Sequence, residues 1–318
     1  MTDVLITGGS GFVGSNLTRK LLDQGHSVSL FLRRESNLWR IQNILDKLEI
    51  YYIDNPDITK IKKYVNQIKP EKIFHLATYG GYPFQQDISS IIQNNIFYSV
   101  NLMQSLVNLK GLKMFVNVGS SSEYGLKNRP MSESDSCVPF TPYGISKNAQ
   151  TLFAKFFSDQ EKLPSITLRL FSVYGPYEEP GRLITDIMES IIRKQKLKLF
   201  SPLPRRDFIF VDDVVNAFIK AAESEGVNGE IINIGSGYES SVRDIINIIK
   251  ETINEKNNFS WGDNQKQRNF DKNTRWVANI TKAKNLLDWK PDTSLKVGLT
   301  KTYNWFKKNI ELYNNARR

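Results

Sequence analysis

Tyr143 and Lys147 stand four residues apart, a spacing that puts a phenol and an ammonium on one face of a helix. A phenol titrating near its reference value of about 10 is a poor base at neutral pH, but a nearby ammonium favours the phenolate by roughly 1–3 pK units. Such a pair is a usable proton relay. The same spacing recurs at Tyr303 and Lys307, in a C-terminal amphipathic stretch with no strand-end serine ahead of it, and there it reads as an exposed helix face. Ahead of Tyr143, the run Val118-Gly119-Ser120-Ser121-Ser122-Glu123-Tyr124-Gly125 closes a strand with three hydroxyls. A hydroxyl at the carboxyl edge of a sheet can hydrogen-bond a substrate carbonyl and share its proton with the phenol.

A second constellation opens the chain. Thr7-Gly8-Gly9-Ser10-Gly11-Phe12-Val13-Gly14 spaces its glycines G-x-x-G-x-x-G directly after a strand-like run and before a helical one. Glycine serves where the backbone must take φ > 0 or let a pyrophosphate come close, and the helix that follows offers its N-terminal N–H groups to that anion. The turn is placed to bind a dinucleotide.

These residues need a sheet to carry them. Val4 to Thr7, Ser27 to Leu32, Glu49 to Ile53, Lys72 to Leu76, Lys113 to Val118 and Ser165 to Leu170 read as six strands. Helices are expected over Asn16 to Gln24 and Asn94 to Leu109. This alternation predicts an α/β fold, a doubly wound parallel sheet of the Rossmann type with ligands at the carboxyl ends of its strands. After Phe171 the texture changes, with Tyr174-Gly175-Pro176, Pro180-Gly181, Pro202 and Pro204 punctuating the chain. Residues 1–171 are read as the dinucleotide domain. Residues 172–318 form mainly a smaller, interleaved substrate lobe, with Phe208 to Val211 and Glu230 to Ile234 returning to the sheet.

Composition narrows the class. The chain has 318 residues and one cysteine, Cys137, so it can build no internal disulfide, which fits the cytoplasm. Met1-Thr2-Asp3 runs straight into Val4-Leu5-Ile6, leaving no room for a secretory signal. Apolar stretches are strand-length, so no membrane association is expected. The net charge of +10 is scattered, not gathered into a basic tract, and argues against nucleic acid. A positive field does favour capture of a small anionic substrate.

The form Thr7-Gly8-Gly9-Ser10-Gly11-Phe12-Val13-Gly14 resembles the extended short-chain dehydrogenases, a family of nucleotide-sugar epimerases, dehydratases and reductases. The likeness continues through His75-Leu76-Ala77, Asn95, the run Arg206 to Asp213, Arg268-x-x-Asp271 and Leu287-Asp288-Trp289-Lys290-Pro291, covering nearly the whole chain. In that family the catalytic hydroxyl lies four positions before the Tyr of the following Tyr-Gly, which selects Ser120 over Ser121 and Ser122. The resemblance implies a catalytic set of Ser120, Tyr143 and Lys147. For the dinucleotide it implies contacts from Thr7, Gly8, Gly11, Phe12, Val13 and Gly14 and from Leu76, Ala77, Thr78 and Asn95. Val118, Phe171 and Val173 complete them, beside Tyr143 and Lys147, and Asp54 resembles the family's adenine contact.

NAD-binding members end their second strand with an acid that accepts the ribose hydroxyls. Here that strand ends Phe31-Leu32-Arg33-Arg34, and paired guanidinium groups suit a 2′-phosphate. NADPH is therefore favoured over NAD. Dehydratases of the family carry an Asp-Glu pair directly after the catalytic hydroxyl, where this chain has Ser121 and Ser122, with Glu123 displaced by one. Sugar 4,6-dehydration is not expected. NADPH-dependent reduction of a 4-keto sugar is favoured, with NAD-dependent 4-epimerisation as the alternative and a non-catalytic dinucleotide-binding scaffold as a third reading. Thr78-Tyr79-Gly80-Gly81-Tyr82 resembles the 4-ketoreductases that make CDP-paratose and CDP-abequose, and Ser172 replaces the asparagine of galactose epimerases. The resemblance nominates Arg206 and Arg268 for the substrate's diphosphate. Arg182, Tyr79, Ser121 and Ser172 are further substrate candidates. It also implies a homodimer built from two helices of each subunit.

Overall fold

The computed structural model describes residues 3–54, 57–253, 259–262 and 275–316. β1 (Asp3–Thr7) runs into the glycine turn and α1 (Phe12–Asp23), followed by β2 (Ser27–Leu32), β3 (Glu49–Tyr52), α2 (Ile58–Ile68) and β4 (Lys72–His75). α3 (Ile88–Ile92) continues through one π-turn at Gln93–Phe97 into α4 (Tyr98–Leu106), and β5 (Met114–Ser120), α5 (Pro142–Glu161) and β6 (Ser165–Leu170) complete the first lobe. Beyond it come β7 (Ser172–Tyr174), α6 (Leu183–Ile192), β8 (Leu197–Leu199), β9 (Arg205–Arg206), β10 (Phe208–Phe210) and α7 (Val211–Glu223). Then follow β11 (Ile231–Ile234), β12 (Ser240–Ser241), α8 (Val242–Thr252), β13 (Phe259–Trp261), α9 (Thr281–Leu287), α10 (Leu295–Asn309) and α11 (Leu312–Ala316).

Seven strands form one sheet in the order β11-β6-β5-β4-β1-β2-β3, and every pairing within it is parallel. The order reverses between β1 and β4, so their carboxyl ends open the crevice in which such a sheet binds ligands. Both faces are covered, which is why the strands read as apolar runs without alternation. One face packs Val4, Ile6, Leu17 and Phe74 against Val214 and Phe218 of α7 and Leu287 of α9. The other packs Leu5, Ile73 and Phe115 against Ile61, Leu102 and Phe157 of α2, α4 and α5. A separate core joins α6, α8 and α10 through Ile187, Ile245, Leu299 and Phe306, and this is the second lobe.

Four expectations change in detail. α1 begins at Phe12, not Asn16, because the glycine turn itself delivers the chain into the first helical turn. Asn95 stands inside a longer helical run, in its π-turn, not at a helix head. β11 returns to the main sheet, but Phe208 to Phe210 pairs only with β7, in a two-stranded sheet that leads into the second lobe. Tyr303 is buried in the core of that lobe, so the second tyrosine–lysine pair is not a wholly exposed face.

Candidate active site

The glycine turn is built by contact with the end of β4. Gly8 has φ +73°, and a Cβ there would lie 2.6 Å from Ala77 N and 2.7 Å from the Leu76 carbonyl carbon. At Gly14 a Cβ would come within 2.1 Å of Gly8 O, so α1 can start this close to the turn only without a side chain. Gly11 N donates to Gly8 O at 3.0 Å. α1 then begins with no side-chain cap, leaving the N–H groups of its first turn, Phe12 and Val13 among them, for an anion. A dinucleotide's pyrophosphate fits this cradle.

From the turn, contacts lead to the relay. Thr7 Oγ1 accepts from Ala77 N at 3.2 Å and meets His75 Nδ1 at 2.6 Å, while His75 Nε2 meets Ser99 Oγ at 2.7 Å. Burial holds His75 neutral, lowering it to about 3. Asn95, fully buried, uses its amide as a clamp: Oδ1 accepts from Tyr79 N at 2.8 Å and from Thr78 Oγ1 at 3.2 Å, and Nδ2 donates to Tyr79 O and to Ser146 Oγ of α5. It therefore positions Thr78 and Tyr79 against the helix that carries Tyr143. The π-turn, which shifts the register of side chains around a helix, is the local device that aims it there.

Tyr143 is half-buried beside two glycines: Cβ atoms at Gly80 and Gly81 would sit 3.5 Å and 3.8 Å from its ring. Its packed surroundings raise the phenol above its ordinary value, while hydrogen bonding by Ser120 and Thr78 and the Arg182 charge pull it down. Its ring keeps an open edge, so a substrate that excludes the remaining water strengthens both influences. Ser120, at the tip of β5, accepts from Ser122 N at 3.2 Å. Lys147 is buried beneath, its Nζ donating to Val118 O at 2.8 Å and Gln150 Oε1 at 2.9 Å. An ammonium has three donors, so one remains. Burial lowers Lys147 to about 8, against the pull of Glu123. Gln150 in turn donates to Asn117 Oδ1 at 2.6 Å, and Asn117 Nδ2 donates to Thr167 Oγ1 at 3.1 Å, giving the lysine a chain of fixed dipoles.

The phenol thus lies beside the segment that follows the buttress of Gly8, and the ammonium is held at Val118 of the strand that ends in Ser120. With that geometry, residues 4–235 match the model of the NAD dependent epimerase/dehydratase family. The chain belongs to this family. It is 29% identical to a UDP-glucuronate 4-epimerase of Thermodesulfobacterium geofontis, the alignment covering 98% of each chain. It is 28% identical to a dTDP-D-glucose 4,6-dehydratase of Mus musculus, over 99% of this chain and 91% of that one. The UDP-glucose 4-epimerase of Thermotoga maritima, solved with UDP-glucose, superposes at a TM-score of 0.87 and 27% identity, covering 96% of this chain and 99% of that one. A UDP-glucuronic acid 4-epimerase of Bacillus cereus, solved with UDP-glucuronic acid and NAD, does so at 0.83 and 26%, with coverage of 96% and 99%. The chain is therefore an enzyme of an NAD-dependent family, and these relatives are named for reactions of nucleotide sugars.

The remaining candidates divide between two ends of the crevice. At the β2 end, Arg34 binds Asp54 through its backbone N at 2.8 Å and through its guanidinium, and Arg33 pairs with Glu35 at 3.2 Å. The Arg34 N–H and charge hold the Asp54 carboxyl below its usual range. At the other end, Ser121 Oγ accepts from Trp276 Nε1 at 2.9 Å, and the Arg206 guanidinium lies 5.2 Å from the Trp276 ring centre. Arg182, at the head of α6, donates to Gly81 O at 2.8 Å and covers Tyr82 at 4.7 Å, joining the two lobes over the relay. Ser172 N donates to Asp207 O at 3.0 Å, Val173 sits half-buried in β7, and Phe171 is buried with Tyr124 and Met131. Arg268 lies outside the described residues.

Sequence reasoning missed Gln150, Asn117 and Trp276. Gln150 was within reach of it, three residues after Lys147 on the same helix face. Asn117 and Trp276 carried no local signal, since their partners are 33 and 155 residues away.

Proposed function

We propose that the protein transfers hydride at carbon 4 of the sugar in a nucleotide-diphosphate sugar, and that it works as a 4-epimerase with NAD. The observation that carries the reading is Tyr143, whose phenol Ser120 and Thr78 draw down from beside it, with Gly80 and Gly81 against its ring and Lys147 on its own helix. A bound nicotinamide supplies such a site with a hydride acceptor and donor. Ser120 orients the sugar oxygen, Tyr143 takes and returns the proton at its phenolic oxygen, and Lys147 keeps a positive charge beside them. Arg206 and Arg182 bind the diphosphate, with Tyr79, Ser121 and Ser172 on the sugar. The UDP-sugar 4-epimerases among the relatives support this choice of reaction and cofactor. Dehydration has less support here, because Ser121 is tied to Trp276 and the carboxylate of Glu123 points into the core.

A second reading, NADPH-dependent reduction of a 4-keto sugar, draws on Arg33 and Arg34 just after β2, which would exchange Glu35 and Asp54 for a 2′-phosphate. One experiment separates the two. The protein is incubated with UDP-glucose or UDP-glucuronic acid and NAD, and in parallel with a nucleotide-linked 4-keto sugar and NADPH, following sugars by NMR and the reduced nicotinamide by absorbance. Epimer formation without net change in reduced nicotinamide supports the first reading. Net NADPH oxidation replaces it with the second, and turnover equal in wild type and Tyr143→Phe removes both.

A second copy of the chain is the partner that α5 suits. Ile145, Leu152 and Phe156 are exposed at spacings that share a helix face, with Phe97 exposed at the neighbouring π-turn. This apolar face matches a homodimer with two helices from each subunit. The lone cysteine, free and half-buried, fits the reducing cytoplasm.

A further inference from the structure

Glu123 is the residue of the serine turn that the proton relay leaves unused. Its carboxyl is fully buried, a position that is costly unless charge and lone pairs are met. Two partners meet them: Oε2 accepts from Arg169 Nε at 2.7 Å, and Oε1 accepts from the backbone N–H of Ser120 at 2.7 Å. Arg169 is buried as well, and its Nη1 has no hydrogen-bond partner among the described residues. An ion pair arranged for its own strength would use the two-pronged guanidinium fork. Here one carboxylate oxygen goes to the main chain of the catalytic serine instead. Gly119 accommodates the detour, since a Cβ there would lie 2.6 Å from Glu123 Oε1.

The same carboxylate is the charge whose pull opposes the burial of Lys147. Both hydrogen-bond partners of Lys147 Nζ, Val118 O and Gln150 Oε1, are neutral. The titratable groups around it are Tyr143 on its own helix, His75 at the end of β4 and Glu123 on the serine turn. His75 is neutral and Tyr143 is held above its ordinary value; burial raises the Glu123 carboxyl too, against the pull of the Arg169 guanidinium and the Ser120 N–H, and that carboxylate is the negative charge among these groups.

We propose that Glu123 is a positioning residue of the relay, whose carboxylate fixes the backbone of Ser120 and supplies the negative charge facing Lys147. The inference rests on the hydride-transfer reading above. It also explains why an acid stands one place beyond the dehydratase pair: it serves the hydroxyl from behind.

Glu123→Gln keeps an acceptor for Ser120 N–H and removes the charge. Cofactor affinity by fluorescence and kcat/KM are followed from about pH 6 to about pH 9.5 in wild type and variant. Losing the attraction shifts the Lys147 titration acidward, so kcat/KM falls more at about pH 8.5 than at about pH 6, by roughly tenfold for the loss of one opposite charge. KM for the sugar stays unchanged. A loss equal at every pH marks a merely structural carboxylate and overturns the proposal. Should the single variant fail to fold because Arg169 is stranded, Glu123→Gln with Arg169→Met removes both charges, and an acidward shift of the same sign but smaller size is expected, since a cation is lost with the carboxylate. An unmoved limb in that double variant, or failure of both to fold, overturns the proposal too. Wild type that binds no nicotinamide dinucleotide refutes the functional reading itself, whereas active wild type with unmoved variants refutes only the role of Glu123.

Discussion

Lys147→Met should make the cofactor-free protein more stable at neutral pH and nearly inactive. In the folded chain the ammonium is buried and titrates at about 8, against 10.5 for an ordinary lysine. That difference corresponds to about 3 kcal/mol of folded-state penalty on the charged form. Methionine fills a similar volume without charge, but it leaves Val118 O and Gln150 Oε1 without their donor, at about 1 kcal/mol each. The net gain is about 1 kcal/mol at pH 7. Because the folded pKa is depressed, the penalty is complete below about pH 8 and fades as pH rises toward 10.5, where lysine is neutral in both states. The variant and wild type should therefore be equally stable near about pH 9, and above that the variant should be the weaker by up to about 2 kcal/mol. Urea denaturation at about pH 7 and about pH 10 measures the crossing, while kcat falls by roughly 10²–10⁴. A stability difference that is the same at both pH values would refute the claim that this ammonium is held charged against its burial.

Gly14→Ala places a methyl 2.1 Å from Gly8 O, and since that oxygen is backbone of the turn and cannot swing aside, dinucleotide binding by calorimetric titration should be lost in a chain that still folds. Asp207→Asn should lower stability by about 3 kcal/mol, seen as a fall in Tm of roughly 6–12 °C. Its buried carboxylate accepts from Ser236 N and Oγ on one oxygen and from Gly237 N and Ala278 N on the other, and an amide opposes two of those donors with its own N–H. Leu152→Glu with Phe156→Glu puts charge on the exposed face of α5 and should give monomers in sedimentation, whereas an unchanged mass would remove that face as the dimer contact.

Local patterns carried a large share of the site. The glycine turn, the strand that delivers it, and the four-residue spacing of Tyr143 and Lys147 each express a constraint that acts within a few residues. The helix bounds around Asn95 and the start of α1 were less legible, because a π-turn and a glycine-led helix start leave no periodic apolar mark. Arg33 and Arg34 were read as free for phosphate. In the fold they hold Glu35 and Asp54, contacts that pattern alone does not report.

The sequence by itself determined that a parallel sheet would form, that its first turn would suit a pyrophosphate, and that one helix would carry a phenol and an ammonium together. What holds the ammonium and how Glu123 turns inward to Arg169 were decided by tertiary structure. Those outcomes depend on neighbours 46 residues away, as Arg169 is from Glu123, and on burial, which converts weak local preferences into strong electrostatic ones.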